Sequence, residues 1–394
     1  MSSTINGPTF DEVFRRVRDS ARTKKPVVGL THKFYKYPAR FSPEFVATVL
    51  ECFSRPGDLV LDPYMGGGTT VVEAVARQRR SVGCDINSLA VFVAKAKCTA
   101  LNASETKALL AWALDIVPAL NYMTRSTDPA EQDDRLKNLT GPKVRAVKKI
   151  ICLALESIDS LPSNNAREFA KCALLNTGQW ALNGRRSAAS AEEFRARLGA
   201  TLAEMVGAIE LFGKRMFESP SIDAPILIHD SAEYLPTHPF FGSGNRVDLV
   251  ITSPPYPGVH ILYHRWQVDG RKETAAPYWI ANRLDGQPSA YYNFGSRKER
   301  SLDAYFAASL RTLQGVRAVM KRGAKFVQMV AFSNPGEQLD RYMWNMKQAG
   351  FAEDLLSDGR GARAWRDVPG RSWHAIQKGA TMASKELVLV HTAV

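Results

Sequence analysis

Apolar and polar positions fall into two rhythms along this chain. Near residues 59–98, and again from 225 onward, short apolar runs alternate with amphipathic stretches. Leu59-Val60-Leu61 reads as a buried parallel strand, Val71 to Arg77 as a helix, Ser81 to Asn87 as a second strand and Ser88 to Lys97 as a second helix. The same pattern returns at Pro225 to Asp230 and Val247 to Thr252. A helix follows at Leu302 to Met320, a strand at Ala324 to Ala331, a helix at Glu337 to Gln348, and a last strand, antiparallel beside the fifth, at Lys385 to His391. Between them, Leu101 to Pro220 has little β signal and is rich in Ala, Leu, Glu, Lys and Arg, with breaks at Pro142 and at Pro162-Ser163-Asn164-Asn165. Phe10, Val13, Phe14 and Val17 sit at helical spacing near the start. Strands alternating with helices predict an α/β, doubly wound, Rossmann-like sheet with a helical insertion. The expected division is 1–100, an N-terminal helix and a cofactor-binding half; 101–224, the helical insertion; and 225–394, a catalytic half with an aromatic and basic insertion at about 258–300.

Chemistry concentrates at the ends of the predicted strands. The first runs into Asp62-Pro63-Tyr64-Met65-Gly66-Gly67-Gly68-Thr69-Thr70. Three glycines let the backbone turn sharply and approach a ligand with no Cβ in the way. Thr69 or Thr70 is placed to cap the next helix. The second strand ends on Asp85, and in such folds a carboxylate about 20 residues past the glycine loop accepts hydrogen bonds from a ribose. The loop is not G-x-G-x-x-G, which argues against a nicotinamide dinucleotide. The third strand ends on His229-Asp230, where His229 reads as structural. The fourth runs into Ser253-Pro254-Pro255-Tyr256. Two prolines fix the backbone and remove two N–H donors, leaving carbonyls to accept from an exocyclic amine. A tyrosine beside them can stack on a flipped base.

Asp-Pro-Tyr-x-Gly-x-Gly-Thr-Thr resembles the S-adenosylmethionine loop of the DNA amino-methyltransferases, and Ser-Pro-Pro-Tyr their catalytic signature. Tyr37-Pro38-Ala39-Arg40-Phe41, ahead of the loop, is similar to a stretch that lies beside the methionine end of the cofactor in that family. The resemblance covers about residues 32–98, 225–256 and the final strands. It implies S-adenosylmethionine as cofactor, held by Ala39, Arg40, Phe41, Asp62, Pro63, Gly66, Gly68, Thr69, Thr70, Asp85, Ile86 and, near the adenine amino group, Asp230. It implies catalysis by Ser253, Pro254, Pro255 and Tyr256 on double-stranded DNA, with a cognate restriction endonuclease as a further partner. Ser rather than Asp at 253 resembles the cytosine-N4 enzymes more than the adenine-N6 ones. An RNA amino-methyltransferase, and a DNA-binding module without activity, are the alternative classes.

The chain has 394 residues, 45% of them hydrophobic, and a net charge of +13. That balance favours a polyanionic partner. Residues 1–40 hold nine Lys/Arg against three Asp/Glu. Lys143, Arg145, Lys148, Lys149, Arg185, Arg186, Arg195 and Arg197 compete for DNA contact with the aromatic and basic set Tyr263, Arg265, Trp266, Arg271, Lys272, Tyr278, Trp279, Arg283, Tyr291, Tyr292, Phe294, Arg297 and Lys298. Arg360, Arg363, Arg366, Trp373 and Lys378 form a third candidate. A helical lid that only covers the sheet edge and a self-packed cap are the plainer readings of the first two, and a solvated helix face is that of residues 1–40. Five cysteines without a C-x-x-C pair or metal spacing read as reduced thiols of a cytoplasmic protein, and no metal site is expected. No apolar run reaches the length of a membrane helix.

Overall fold

The computed structural model describes residues 7–38, 40–123, 133–185, 187–217, 223–257, 265–268, 272–281, 283, 292, 294, 302–368 and 385–394. Its frame is a sheet whose strands are β1 (Leu59–Asp62), β2 (Arg80–Cys84), β3 (Ile226–Ile228), β4 (Val247–Thr252), β7 (Met320–Val330), β8 (Phe351–Glu353), β9 (Arg363–Asp367) and β10 (Lys385–Ala393). A separate hairpin pairs β5 (Trp266–Val268) with β6 (Lys272–Thr274). The large sheet runs β3-β2-β1-β4-β7-β10-β8, with β9 on β10. Pairs from β3 to β7 are parallel, and β10 is antiparallel to β7, β8 and β9. The order reverses between β1 and β4, and in open α/β sheets ligands bind outside the carboxyl ends of the strands at such a point.

Alternation along the strands dictates the layers. Val60, Leu249, Ile251 and Val327 face the helices α1 (Phe10–Ala21) and α2 (Pro43–Phe53), packing with Phe14, Val17, Phe45 and Val49. Leu59, Leu61, Val250 and Phe326 face the other way, toward Tyr305, Leu313 and Val316 of Leu302–Val319 and Tyr342 of Pro335–Gln348. The helix Thr69–Ala76 (α3) follows β1, and Ser88–Cys98 (α4) follows β2. Among the described residues the chain between α4 and β3 is helical, with long helices at Pro142–Ile158, Asn164–Leu182 and Ala191–Phe217. They share one apolar cluster with α4 and with Trp266, Tyr278 and Trp279.

Three sequence expectations change. Neither Thr69 nor Thr70 caps α3; the N-cap is Gly68 at φ +74°, with no side-chain bond, because the left-handed backbone there suits glycine. Trp266, Tyr278 and Trp279 do not form an outward stacking platform. They are buried, with the Trp266 indole donating to the Tyr35 hydroxyl at 2.9 Å and the Tyr278 hydroxyl to Asn87 Oδ1 at 2.8 Å. Arg363 and Arg366 lie on β9 and are paired, to Glu353 and Glu386. Arg186, Tyr263, Arg271, Tyr291, Arg297, Lys298, Trp373 and Lys378 lie outside the described residues.

Candidate functional site

The carboxyl ends of β1, β2, β3 and β4 meet around one pocket. Arg40, Phe41, Asp62, Pro63, Gly66, Thr69, Asp85, Ile86, Asp230, Ser253 and Pro255 all line it. Gly68 and Thr70 stand behind it, as the cap and first turn of α3. Pro254 and Tyr256 are buried and do not line it, while Ala39 lies outside the described residues.

The glycine loop is held from below and roofed from above. Gly68 N–H donates to the Met65 carbonyl at 2.8 Å, closing the turn. A Cβ on Gly67 would meet Tyr37 Cβ at 2.7 Å, so the close approach of Tyr37 demands glycine. Lys97, buried on α4, donates from Nζ to the Gly67 carbonyl at 2.6 Å. Burial pulls its ammonium down to about 8, and the nearby Arg40 adds to the shift. His32 Nε2 lies 2.6 Å from Glu73 Oε1, which ties the segment before Tyr37 to α3. Arg40 donates to the His32 carbonyl at 3.4 Å.

The acidic residues divide the work. Asp85 accepts the Gly66 N–H at 2.9 Å on Oδ2 and the Asn87 N–H at 2.8 Å on Oδ1, so it locks the loop to the start of α4. Loss of hydration raises its carboxyl to about 6, although the two N–H bonds oppose the shift. Asp62 is buried and likewise raised to about 6 by desolvation, against hydrogen bonds from Thr252, Thr70 and Tyr64. Thr252 Oγ1 donates to Asp62 Oδ1 at 2.7 Å, joining the ends of β1 and β4. Asp230 is exposed at the rim and accepts the Ser231 N–H at 2.7 Å. His229 points to the Ile86 carbonyl at 3.2 Å, a structural contact.

Ser253 opens onto a second pocket too. That pocket is lined by Tyr37, Pro38, Arg40 and Phe41, which it shares with the first, and by Tyr256, Met329, Arg366 and Glu386. The Pro255 carbonyl accepts from the Tyr305 hydroxyl at 2.7 Å, which fixes the Pro-Pro turn. The Tyr256 hydroxyl donates to Glu386 at 2.9 Å and lies 2.9 Å from Ser253 Oγ.

Several contributors carry little or no signal in the sequence. Asn87 caps α4 and binds the hydroxyls of Tyr37 and Tyr278; its place after an acidic strand end is a usable capping signal. Tyr292 and Phe294 wall the first pocket, with Phe294 set edge-on to Tyr64 at 5.9 Å between centroids. Glu386 and Lys97 have no local signal, since each matters through a contact distant in sequence.

Residues 2–96 match a family model described as DNA methylase. Over that segment the chain is similar to the DNA methylases, and the resemblance carried by its glycine loop is borne out. The match ends before Ser253. Type II methyltransferase M.MjaII of Methanocaldococcus jannaschii is 29% identical over 101 residues, 26% of this chain and 18% of the relative. M.MvaI of Kocuria varians is 34% identical over 19% of this chain and 17% of the relative. M1.MboII of Moraxella bovis is 36% identical over 21% and 31%. The chain thus spans less than a third of the length of each of these relatives. Among solved structures, TrmN of Thermus thermophilus aligns with 90% of this chain and 49% of its own at 12% identity and a TM-score of 0.34. Among the described residues no helix is long and apolar enough to cross a membrane, and no His, Cys, Asp or Glu cluster could hold a metal ion.

Proposed function

We propose that this chain methylates the exocyclic amine of a base flipped from DNA, cytosine N4 in the first place and adenine N6 in the second, with S-adenosylmethionine as donor. The first pocket fits that cofactor chemically. Asp85 would accept from the ribose hydroxyls, Asp230 from the adenine amine, and Arg40 would face the carboxylate. The glycine loop leaves room for a close backbone approach. The cofactor supplies an electrophilic methyl group on a sulfonium.

The observation that carries the reading is the position of Ser253. It directly follows β4 and borders both pockets, so one hydroxyl can touch a base on one side and face the donor on the other. An aromatic amine is a poor nucleophile because its lone pair is delocalised into the ring. Hydrogen bonds from the amine to Ser253 Oγ and to the Pro254 carbonyl would draw its nitrogen toward sp³ geometry. Tyr305 occupies the neighbouring Pro255 carbonyl, so the turn cannot swing. Catalysis is then mostly positioning. Tyr256 would lie against the base with its hydroxyl held by Glu386.

Cytosine N4 is favoured because Ser at 253, a neutral acceptor where Asp would be charged, resembles the cytosine-N4 enzymes more than the adenine-N6 ones, although the Ser form also occurs among the latter. The burial of Trp266, Tyr278 and Trp279 favours the helices of the proposed insertion 101–224 over the segment 258–300 as the surface that reads DNA. Digestion of DNA from expressing cells to nucleosides, followed by mass spectrometry, tests the reading. N4-methylcytosine is expected; N6-methyladenine alone would move the specificity. Modified tRNA with unmodified DNA would replace the substrate class. A cognate restriction endonuclease belongs to the same proposal, and protection of the expressing cells' plasmid against a panel of such enzymes tests it.

A further inference from the structure

A line of hydrogen bonds leads from Ser253 along the wall of the second pocket, away from the cofactor pocket. Arg366 on β9 stands opposite Glu386 on β10 in the sheet register, and its Nε and Nη2 both donate to Glu386 Oε2, at 2.9 and 2.5 Å. The pair is shielded, with side-chain exposures of 10% and 7%. Arg366 Nη1 donates to the Ala21 carbonyl at 2.7 Å, which fixes the guanidinium from a third side. Glu386 Oε1 receives the Tyr256 hydroxyl at 2.9 Å. Tyr256 in turn lies 2.9 Å from Ser253 Oγ.

The direction of the last bond follows from counting protons. A guanidinium only donates and a carboxylate only accepts. The single Tyr256 proton therefore goes to Glu386, and the contact with Ser253 has only one solution: the Ser253 hydroxyl donates to the Tyr256 oxygen. Its lone pairs are then what it presents to the pocket. A serine hydroxyl is ordinarily ambidextrous, but this one is an acceptor by construction, which is the polarity an amine N–H requires.

We propose that Glu386, oriented by Arg366, is a positioning residue that sets Ser253 as a hydrogen-bond acceptor through Tyr256, and so selects an exocyclic amine over a carbonyl at that edge of the base. The inference rests on the methyltransferase reading above. Glu386 does not line the cofactor pocket and acts on the substrate side.

The substitution Glu386→Gln reverses the relay. The Gln oxygen must turn to Arg366, so its amide N–H donates to the Tyr256 oxygen. Tyr256 then donates to Ser253, which frees the Ser253 proton into the pocket and leaves one lone pair where the wild type presents two. The expected result is a fall in kcat of about tenfold or more, the scale of one unmade buried hydrogen bond, with cofactor affinity by calorimetry unchanged. Tyr256→Phe cuts the relay. It is expected to lower kcat too, and in that background Glu386→Gln should add little, so the two effects are not additive. Additive effects, or a Glu386→Gln enzyme with wild-type kcat, would overturn the relay. Should Glu386→Gln fail to fold by circular dichroism, Tyr256→Phe decides alone: wild-type kcat in that variant overturns the proposal, and reduced kcat at unchanged cofactor affinity supports it. A wild-type enzyme inactive on DNA and on tRNA overturns the underlying reading, and the relay with it.

Discussion

Asp85 is a strut of the glycine loop and, in the proposed reading, a ligand of the cofactor as well. Its two oxygens already bind the Gly66 and Asn87 N–H groups, and its remaining lone pairs would meet the cofactor. Asp85→Ala is expected to weaken cofactor binding at least about tenfold, the loss of one charge-assisted bond; unchanged affinity by calorimetry would remove Asp85 from the site. The pH dependence follows from the raised carboxyls. Asp62 and Asp85 titrate near 6 in the fold against 3.8 for an ordinary aspartate, so the folded state holds those protons more tightly than the unfolded one. Their stabilising contribution is fully present below pH 3.8 and is lost as pH rises through 6. If Asp85 accepts from the ribose as proposed, cofactor binding reverses the preference, because the acceptor is the ionised carboxylate. Its affinity should rise about tenfold per pH unit up to pH 6 and then level off. Thermal midpoints with and without cofactor should therefore diverge as pH rises toward 6 and run parallel above it; a difference constant across pH 6 would refute the assignment. Gly67→Ala would drive a Cβ into Tyr37 and should abolish cofactor binding.

Elements were legible where the apolar pattern was long or where a strand was buried on both faces. β1, β2 and β4 and the helices at Leu302–Val319 and Pro335–Gln348 were read to within a few residues for that reason. β8 and β9 were not. They are short, β9 reads Arg-Ala-Trp-Arg-Asp, and its arginines are tied by carboxylates on the strands β8 and β10. The β5–β6 hairpin escaped for a related reason: its Trp266 is a core residue only because Gly178 on Asn164–Leu182 leaves space for it. A Cβ at Gly178 would meet the Trp266 ring at 2.9 Å. Gly178→Ala is expected to cost about 1–3 kcal/mol as an overpacked core position, read as a shift in the urea midpoint at constant slope. A neutral or stabilising result would mean that the hairpin does not pack there.

At the scale of the molecule, charge and sheet order bear on the proposed function. The net charge of +13 is placed in part on exposed helical residues such as Lys143 and Arg145. If these touch phosphates, Lys143→Gln with Arg145→Gln should flatten the dependence of log affinity on log salt by about 0.9 for each phosphate no longer neutralised; an unaltered slope would return them to a solvated face. The sequence by itself determined the alternation of strand and helix, the glycine loop after the first strand and the Ser-Pro-Pro-Tyr turn after the fourth. Each is a local pattern, set by periodicity, by backbone freedom at glycine and by its restriction at proline. Only the tertiary structure decided which loops share a pocket, because the reversal between β1 and β4 brings together residues 62, 85, 230 and 253. It also decided that the aromatics Trp266, Tyr278 and Trp279 serve the core, that Lys97 holds the glycine loop, and that Arg366 and Glu386 reach Ser253 through Tyr256. Those roles depend on contacts between positions far apart in the chain, and a one-dimensional pattern records hydrophobicity and spacing but not which distant side chain will complete a hydrogen bond.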